Sequence, residues 1–298
     1  MQFSTLKYFN EVVRTGSIRI AAERLNVAPS GISRQIRNLE EEFGVPLFER
    51  HSRGVILTSA GEAYARYARE AMLDQERIHS EIDELKGLRR GYVRIASVEG
   101  IVADGLTNAI ASFRALFAGV TFTLEIIGTD DVVRTVENGD ADIGITFTAN
   151  LSVNVHCPFH VRDPLHVVAS PRHPFAKQKR ISLIETMSEP LAIPRKNFGI
   201  RTLLDTRCRS ARISMRPALE TNSIEALRGF ARSNSGITFL TKLSVKRELE
   251  AGQLVAIPLS DRELQQANIE VCVLKDRTLP AATERFLNHL RRTLPQTR

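Results

Sequence analysis

The stretch Ser17–Phe43, SIRIAAERLNVAPSGISRQIRNLEEEF, reads as two helices joined by a tight turn. In the second helix Ile32, Ile36, Leu39 and Phe43 follow at intervals of four, three and four residues, which places them on one apolar stripe. Ser30, Ser33, Arg34 and Arg37 share a separate face of hydroxyl and guanidinium groups. Such a helix suits a major groove, because arginine forks onto guanine or phosphate and serine bonds phosphate or a base edge. The helix before it buries Ile18, Ala21, Ala22 and Leu25, and its two alanines let the helices cross closely. Arg19 on that helix joins the candidate DNA contacts. Asn26 and Val27 make the turn, and Pro29 sits in the first turn of the next helix, where its missing N–H costs nothing. The pattern is a helix-turn-helix. Any two amphipathic helices share it in part, and an arginine-rich face is ordinarily just solvated.

The flanking sequence adds more. Gly44 closes the helix and VPLFERHSRGVILTSAGE follows at positions 45–62. The segments LKYFNEVVRTGSI, AAERLNVAPSGISRQIRNLEEEFGVPLFER and LTSAGE lie in one nearly gapless block from Phe3 to Glu62. That block resembles the N-terminal domain of LysR-type transcriptional regulators. The resemblance implies sequence-specific binding of double-stranded DNA, control by a small-molecule effector, a homodimer or homotetramer, and RNA polymerase as a further partner. One departure matters. The family often has Gln where this chain has Pro29, so base reading by that Gln is not carried over. Gly31 stands where Ala is common and slightly weakens the helix.

The 298 residues suffice for two or three domains with a sizeable core. A net charge of +7 favours an anionic partner without choosing among DNA, RNA and acidic lipid. The basic residues are not confined to one end, since Arg207, Arg209, Arg212 and Arg216 form a second concentration. Cys157, Cys208 and Cys272 are far apart in sequence and odd in number, which argues for reduced thiols in a cytoplasmic protein. The N-terminus does not read as a signal peptide, and no apolar run is long enough to span a bilayer.

Phe3, Leu6, Phe9 and Val13 give a first helix one apolar face, and Gly16 ends it. After Gly44, the segments Val45–Glu49 and Val55–Thr58 read as extended, with His51–Gly54 as the tip between them. That is a winged helix, with Arg50 and Arg53 placed to reach backbone or minor groove; an ordinary hairpin would read much the same. A long helix then starts at Thr58 or Ser59, where Ser59 and Glu62 form a capping box, and runs to about Lys86. Tyr67, Ala71, Ile78, Ile82 and Leu85 trace a narrow seam at coiled-coil-like spacing. Such a seam wants the same helix of a second subunit or, alternatively, its own domain. In the family this segment is the dimerising linker.

Beyond Gly87, Arg89, Arg90 and Gly91 the pattern changes to strands alternating with helices: Tyr92–Ser97, Val120–Gly128 and Ala141–Phe147, then Leu165–Ser170, Leu191–Pro194, Ile213–Leu219, Gly236–Leu240 and Ile269–Leu274. Alternation predicts parallel α/β sheets with a crevice at the strand ends. VENGDADIGITF resembles the corresponding stretch of LysR effector-binding domains. The resemblance implies two lobes crossed by two strands, like periplasmic solute-binding proteins. The expected organisation is a winged helix-turn-helix at residues 1–58, a linker helix at 59–90 and an effector-binding domain at 91–298. Its first lobe would take about 91–161 and 267–298, and its second about 162–266.

No phosphate loop, nucleophile elbow or paired-cysteine zinc pattern is present, so neither an enzyme nor a cofactor is expected. His156, Cys157 and His160 are poorly arranged for one ion, because Cys157 lies opposite the two histidines in an extended segment. The crevice is more informative. Ser97, Thr129 and Thr146 sit at strand ends, and Glu99 and Gly100 lie just before a helix. Asn197, Phe198, Gly199 and Thr202 mark one helix start and Thr221, Asn222 and Ser223 another, with Arg195 and Arg201 near the first. Hydroxyls and free N–H groups at helix starts can hold a small anion, although singly each is an ordinary cap. The resemblance puts the effector at Ser97, Glu99, Gly100, Thr129, Thr146, Phe198, Thr202 and Thr221. Glu99 complicates an anionic effector: it could pair with Arg201 or bind an amine. The alternative reading is an enzyme or solute-binding protein with an incidental helical N-terminus.

Overall fold

The computed structural model describes residues 3–52, 54–85, 90–148 and 151–294, without the side chains of residues 83–85. The chain divides into two units, Met1–Ile82 and Asp83–Arg298.

In the first unit, α1 (Phe3–Thr15), α2 (Ile18–Leu25) and α3 (Pro29–Phe43) precede a hairpin of β1 (Phe48–His51) and β2 (Gly54–Leu57), and α4 (Ser59–Leu85) follows. Asn26 turns the chain between α2 and α3 in the left-handed conformation, φ 54°, which asparagine tolerates better than most residues. Ile32, Ile36 and Leu39 are buried in one core with Ala21 and Ala22. Phe43, expected on the same stripe, is 49 % exposed; it lies in the last turn, beyond the core's edge, with its ring 5.5 Å from that of Tyr64.

The hairpin pairs Phe48 with Leu57 in antiparallel register. Its first strand begins at Phe48 rather than the expected Val45. Glu40 explains the shift: its carboxylate accepts the N–H groups of Leu47 and Phe48 at 2.8 and 3.2 Å and ties the preceding segment to α3. The cap of α4 is Thr58, not Ser59. The Thr58 hydroxyl accepts the Gly61 N–H at 3.0 Å and donates to the Pro46 carbonyl at 2.8 Å. Gly61 is required there, since a Cβ would lie 2.0 Å from the Leu47 carbonyl oxygen.

The first half of α4 docks on its own unit. Tyr64, Ala65 and Ala68 join the core, and the Tyr64 ring meets Phe9 edge-on at 4.7 Å. Of the expected seam, Ala71 packs partly buried against that core, while Tyr67, Ile78 and Ile82 stay 50, 43 and 41 % exposed. One helix therefore carries two apolar faces. The Leu85 side chain, Gly87, Arg89 and Arg53 lie outside the described residues.

The second unit contains, in order, β3 (Arg90–Ser97), α5 (Thr107–Leu116), β4 (Gly119–Ile126), α6 (Thr129–Glu137), β5 (Ile143–Phe147), β6 (Val155–Arg162) and β7 (Leu165–Ala169). It continues with β8 (Leu191–Pro194), α7 (Gly199–Ala211), β9 (Pro217–Thr221), α8 (Ile224–Arg232), β10 (Ile237–Thr241), α9 (Lys246–Glu250), β11 (Val255–Pro258), β12 (Asn268–Leu274) and α10 (Ala281–Thr293). Two five-stranded sheets result, β4-β3-β5-β12-β6 in lobe I and β11-β7-β10-β8-β9 in lobe II. Both are mixed rather than purely parallel. In lobe I, β12 enters from lobe II and runs antiparallel to β5 and β6. In lobe II, β7 is antiparallel to both β10 and β11. The strand expected over Ile213–Leu219 forms instead at Pro217–Thr221. Arg212 closes α7 in the left-handed conformation at φ 56°, and Ile213 and Met215 pack on the core as irregular chain.

Two crossings join the lobes. Asp163 and Pro164 alone link β6 to β7, and the chain returns from β11 to β12. The Asp163 N–H donates to the Ala267 carbonyl at 3.1 Å, so the outgoing and returning segments are bonded together.

Candidate DNA-binding face and effector cleft

Burial of Ile32, Ile36 and Leu39 fixes the rotation of α3 and turns its polar face to solvent. Ser30, Arg34 and Arg37 are exposed and Ser33 is half-buried. Arg34, Arg37 and Arg50 make no ion pair or hydrogen bond among the described residues. Neighbouring arginines do: Arg14 and Arg24 both pair with Glu11, and Arg19 lies 3.8 Å from Glu23. Arg34 and Arg37 thus stand on the polar face of α3 with no counter-charge from their own unit among the described residues.

In the second unit the lobes meet at the N-termini of two lobe II helices. Thr129, first residue of α6, accepts the Gly199 N–H on Oγ1 at 3.0 Å, and its own N–H donates to the Asn197 carbonyl at 3.0 Å. Glu99 Oε2 accepts the Ile224 N–H at 2.8 Å at the start of α8. A Cβ on Gly199 would lie 2.0 Å from the Phe147 carbonyl oxygen, so the backbones of the lobes touch there. Arg247 of α9 adds an ion pair to Asp104 at 2.5 Å.

These contacts change the reading of the helix starts. The sequence leaves them open for an anion; the fold fills both from the opposite lobe, with a hydroxyl at α7 and a full negative charge at α8. Arg201 does not meet Glu99. It is 9 % exposed and bonds Asp205 at 2.8 Å, Glu220 at 3.0 Å and the Pro194 carbonyl at 3.1 Å.

Two cavities flank the seam. A polar one of about 190 Å³ is lined by Glu99, Ile126, Asp131, Asn197, Phe198 and Asn222 among others, with no lysine or arginine. A narrow, mainly apolar one of about 30 Å³ has Ile101, Phe147, Ile200 and Ile224 in its wall, with the hydroxyls of Thr241 and Ser244. Of the expected effector residues, Glu99, Gly100, Thr129 and Phe198 line one or both cavities. The other four, Ser97, Thr146, Thr202 and Thr221, line neither of these two cavities. Ser97 is fully buried and donates to the Val98 carbonyl at 3.0 Å. Thr146 is fully buried on β5, and its hydroxyl finds no partner. Thr202 donates to the Phe198 carbonyl within α7, and the Thr221 hydroxyl accepts the Ser223 N–H. Asp131, Ile126 and Ile200 carry no sequence signal for the cleft; each reaches it through the way its lobe closes on the other.

Asp163, at the crossing, is 2 % exposed. Burial pushes its carboxyl up to about 6, against hydrogen bonds from Thr241 and the backbone of Leu243 and Lys242 that favour the charged form. Among the described residues no cluster of three or more His, Cys, Asp or Glu is placed to hold a metal ion, and no helix is long and apolar enough to cross a membrane.

A winged helix-turn-helix with a free serine/arginine face, followed by a two-lobed α/β unit with a cleft, defines a ligand-responsive DNA-binding regulator. Comparison with known proteins agrees. Residues 3–62 match the model of the bacterial regulatory helix-turn-helix protein, lysR family, and residues 86–295 match that of the LysR substrate binding domain. The uncharacterized HTH-type transcriptional regulator YwbI of Bacillus subtilis is 30 % identical over 289 residues, 97 % of this chain and 95 % of the relative. The HTH-type transcriptional activator CmpR of Synechocystis is 26 % identical over 285 residues, 95 % of this chain and 92 % of the relative. Full-length OxyR of Pseudomonas aeruginosa shares the fold, with a TM-score of 0.76 at 19 % identity over 100 % of this chain and 99 % of that one. The chain belongs to the LysR family: it is a LysR-type transcriptional regulator with an effector-binding domain.

Proposed function

We propose that α3 enters the major groove with Ser30, Ser33 and Arg34 toward base edges and Arg37 toward phosphate, while Arg19, Arg50 and Arg53 contact the backbone or minor groove. The observation that carries this reading is the set of exposed, uncompensated arginines on the face opposite Ile32, Ile36 and Leu39. Residues 1–58 form the DNA-binding domain, 59–90 the linker and 91–298 the effector domain in this reading. The exposed Tyr67, Ile78 and Ile82, with Ala71 and Leu85, form the seam with a second copy in a homodimer or homotetramer. The protein works in the cytoplasm as a regulator rather than an enzyme and acts on RNA polymerase at its promoters.

The effector binds between the lobes. Glu99 and Asp131 on the polar cavity and the apolar wall beside it favour a molecule with an amine or hydroxyl head and a small apolar body. A simple anion would meet the carboxylates of Glu99 and Asp131, and the cation paired with Asp131, Arg134, is not among the lining residues. Fluorescence anisotropy of the full-length chain on duplexes containing its own promoter region, at two salt concentrations, tests DNA binding. Melting-temperature shifts with panels of amines, polyols and carboxylic acids test the effector, because a ligand that binds only the native state raises the midpoint. Shifts confined to carboxylic acids would overturn the amine or hydroxyl reading.

A further inference from the structure

The fold brings together two cysteines that the sequence separates widely. Cys157 lies on β6 and Cys272 on β12. These strands are antiparallel neighbours, with Phe159 opposite Val271 and His156 opposite Val273. Between those pairs the register shifts, so Cys157 and Pro158 together face the single residue Cys272. This is a β-bulge, and Pro158, which has no N–H to give the ladder, suits it. Each thiol donates to a carbonyl of its own strand, Cys157 to Phe159 at 3.1 Å and Cys272 to Glu270 at 3.9 Å, and the two side chains lie near enough to perturb each other's ionisation. Facing residues of adjacent antiparallel strands have Cα atoms about 4.5–5.5 Å apart, within the span of roughly 4.4–6.8 Å that a disulfide bridges.

The two sulfurs are chemically unequal. Cys157 is half-buried on the edge strand of the sheet, where a small reagent can reach it, and Cys272 is fully buried. The neighbouring Cys272 thiol pulls the Cys157 pKa down, ahead of burial and the Glu270 charge, which oppose it. The Cys157 side chain, with burial, pushes Cys272 up. Cys157 is thus the more exposed and the more readily ionised of the two thiols.

We propose that Cys157 and Cys272 are an oxidation site, in which Cys157 reacts with a hydroperoxide and Cys272 resolves the product into a cross-strand disulfide. In the first step the Cys157 thiolate attacks one peroxide oxygen and the O–O bond breaks. Cys157 becomes a sulfenic acid, and the departing alkoxide or hydroxide takes up a proton. In the second step the Cys272 sulfur attacks Cys157, the S–O bond breaks, and the leaving hydroxide forms water with the proton of Cys272. Two thiols lose two electrons, and one hydroperoxide becomes one alcohol and one water. The bond would join the outgoing strand of one inter-lobe crossing to the returning strand of the other, within five residues of each strand's crossing end.

The test uses the full-length reduced protein, treated with one equivalent of hydrogen peroxide and then unfolded in a thiol-blocking reagent. The titratable thiols should fall from three to one, and non-reducing peptide mass spectrometry should find Cys157 linked to Cys272 within one chain. Cys272→Ser should trap a Cys157 sulfenic acid that a dimedone probe labels, and Cys157→Ser should leave Cys272 unoxidised. Circular dichroism checks the fold of both variants, and the wild-type result stands without them. Three thiols remaining after peroxide, a link through Cys208 or between two chains, or direct passage of Cys157 to sulfinic acid would each overturn the proposal.

Discussion

The Glu99 carboxylate of lobe I accepts a 2.8 Å hydrogen bond from the backbone N–H of Ile224, the first residue of a lobe II helix. A charge from one lobe thereby caps a helix of the other. It stabilises closure of the cleft and occupies a position that an anionic ligand would otherwise take.

Replacing Glu99 by alanine removes a hydrogen bond to a charged group, an interaction typically contributing about 1.5–3 kcal/mol. Glu99→Ala should lower the urea midpoint of the effector domain accordingly, and Glu99→Gln, which keeps an acceptor oxygen, should recover part of the loss. An unchanged midpoint for Glu99→Ala would mean that the tether does not hold in solution.

Ile82 is 41 % exposed at the end of the first unit, on the face of α4 away from its own core. Ile82→Glu should dissociate the oligomer, because the seam would then bury an unpaired carboxylate at a cost of about 3–5 kcal/mol. Sedimentation at micromolar protein reads the outcome. An oligomer unaltered in mass and in DNA affinity would place the subunit contact elsewhere.

Arg34 precedes Arg37 by most of a turn and lies nearer the start of α3, which reaches deepest into a groove. Arg34→Ala should cost roughly 1–3 kcal/mol on the cognate duplex and less on a scrambled one. Arg37→Ala should weaken both and reduce the salt slope by about one charge. Both variants should keep their helical circular dichroism, since neither side chain is in the core. Equal losses on the two duplexes for Arg34→Ala would rule it out as a base reader and leave DNA shape as the main source of specificity.

The Asp163 carboxyl, pushed up to about 6 by burial, gives a pH signature. Its unfolded value is about 3.9. Between the two values the folded chain holds a proton that the unfolded chain has released, so stability falls as pH rises through that window and stays reduced above it. The full effect is on the order of 3 kcal/mol. Asp163→Asn lacks this term, so its stability relative to wild type should improve from about pH 4 to pH 7, as measured by denaturant unfolding at each pH. A constant difference across that range would show that Asp163 ionises as an exposed aspartate does.

The sequence by itself determined the DNA-binding unit. Ile32, Ile36 and Leu39 on one side of a helix and Ser30, Arg34 and Arg37 on the other are a local pattern. The period of 3.6 residues turns such a pattern directly into faces. Asn26 and Pro29 punctuate it with conformations that few other residues supply. The α/β character of the remainder was likewise legible, strand by strand, because each element carries its own periodicity.

Contacts between distant segments were decided only by the tertiary structure. The two apolar faces of α4 overlap in sequence, and only docking of Tyr64 against Phe9 separates the buried face from the exposed Tyr67, Ile78 and Ile82. Thr202 and Thr221 bond backbone groups of their own segments, and a hydroxyl beside a helix start caps or binds depending on what lies opposite, which sequence does not give. Glu99 meeting Ile224, Thr129 meeting Gly199 and Cys157 meeting Cys272 are pairings across 70 to 125 residues. No local pattern encodes them, because they depend on how one lobe closes on the other and on the register in which β12 returns beside β6.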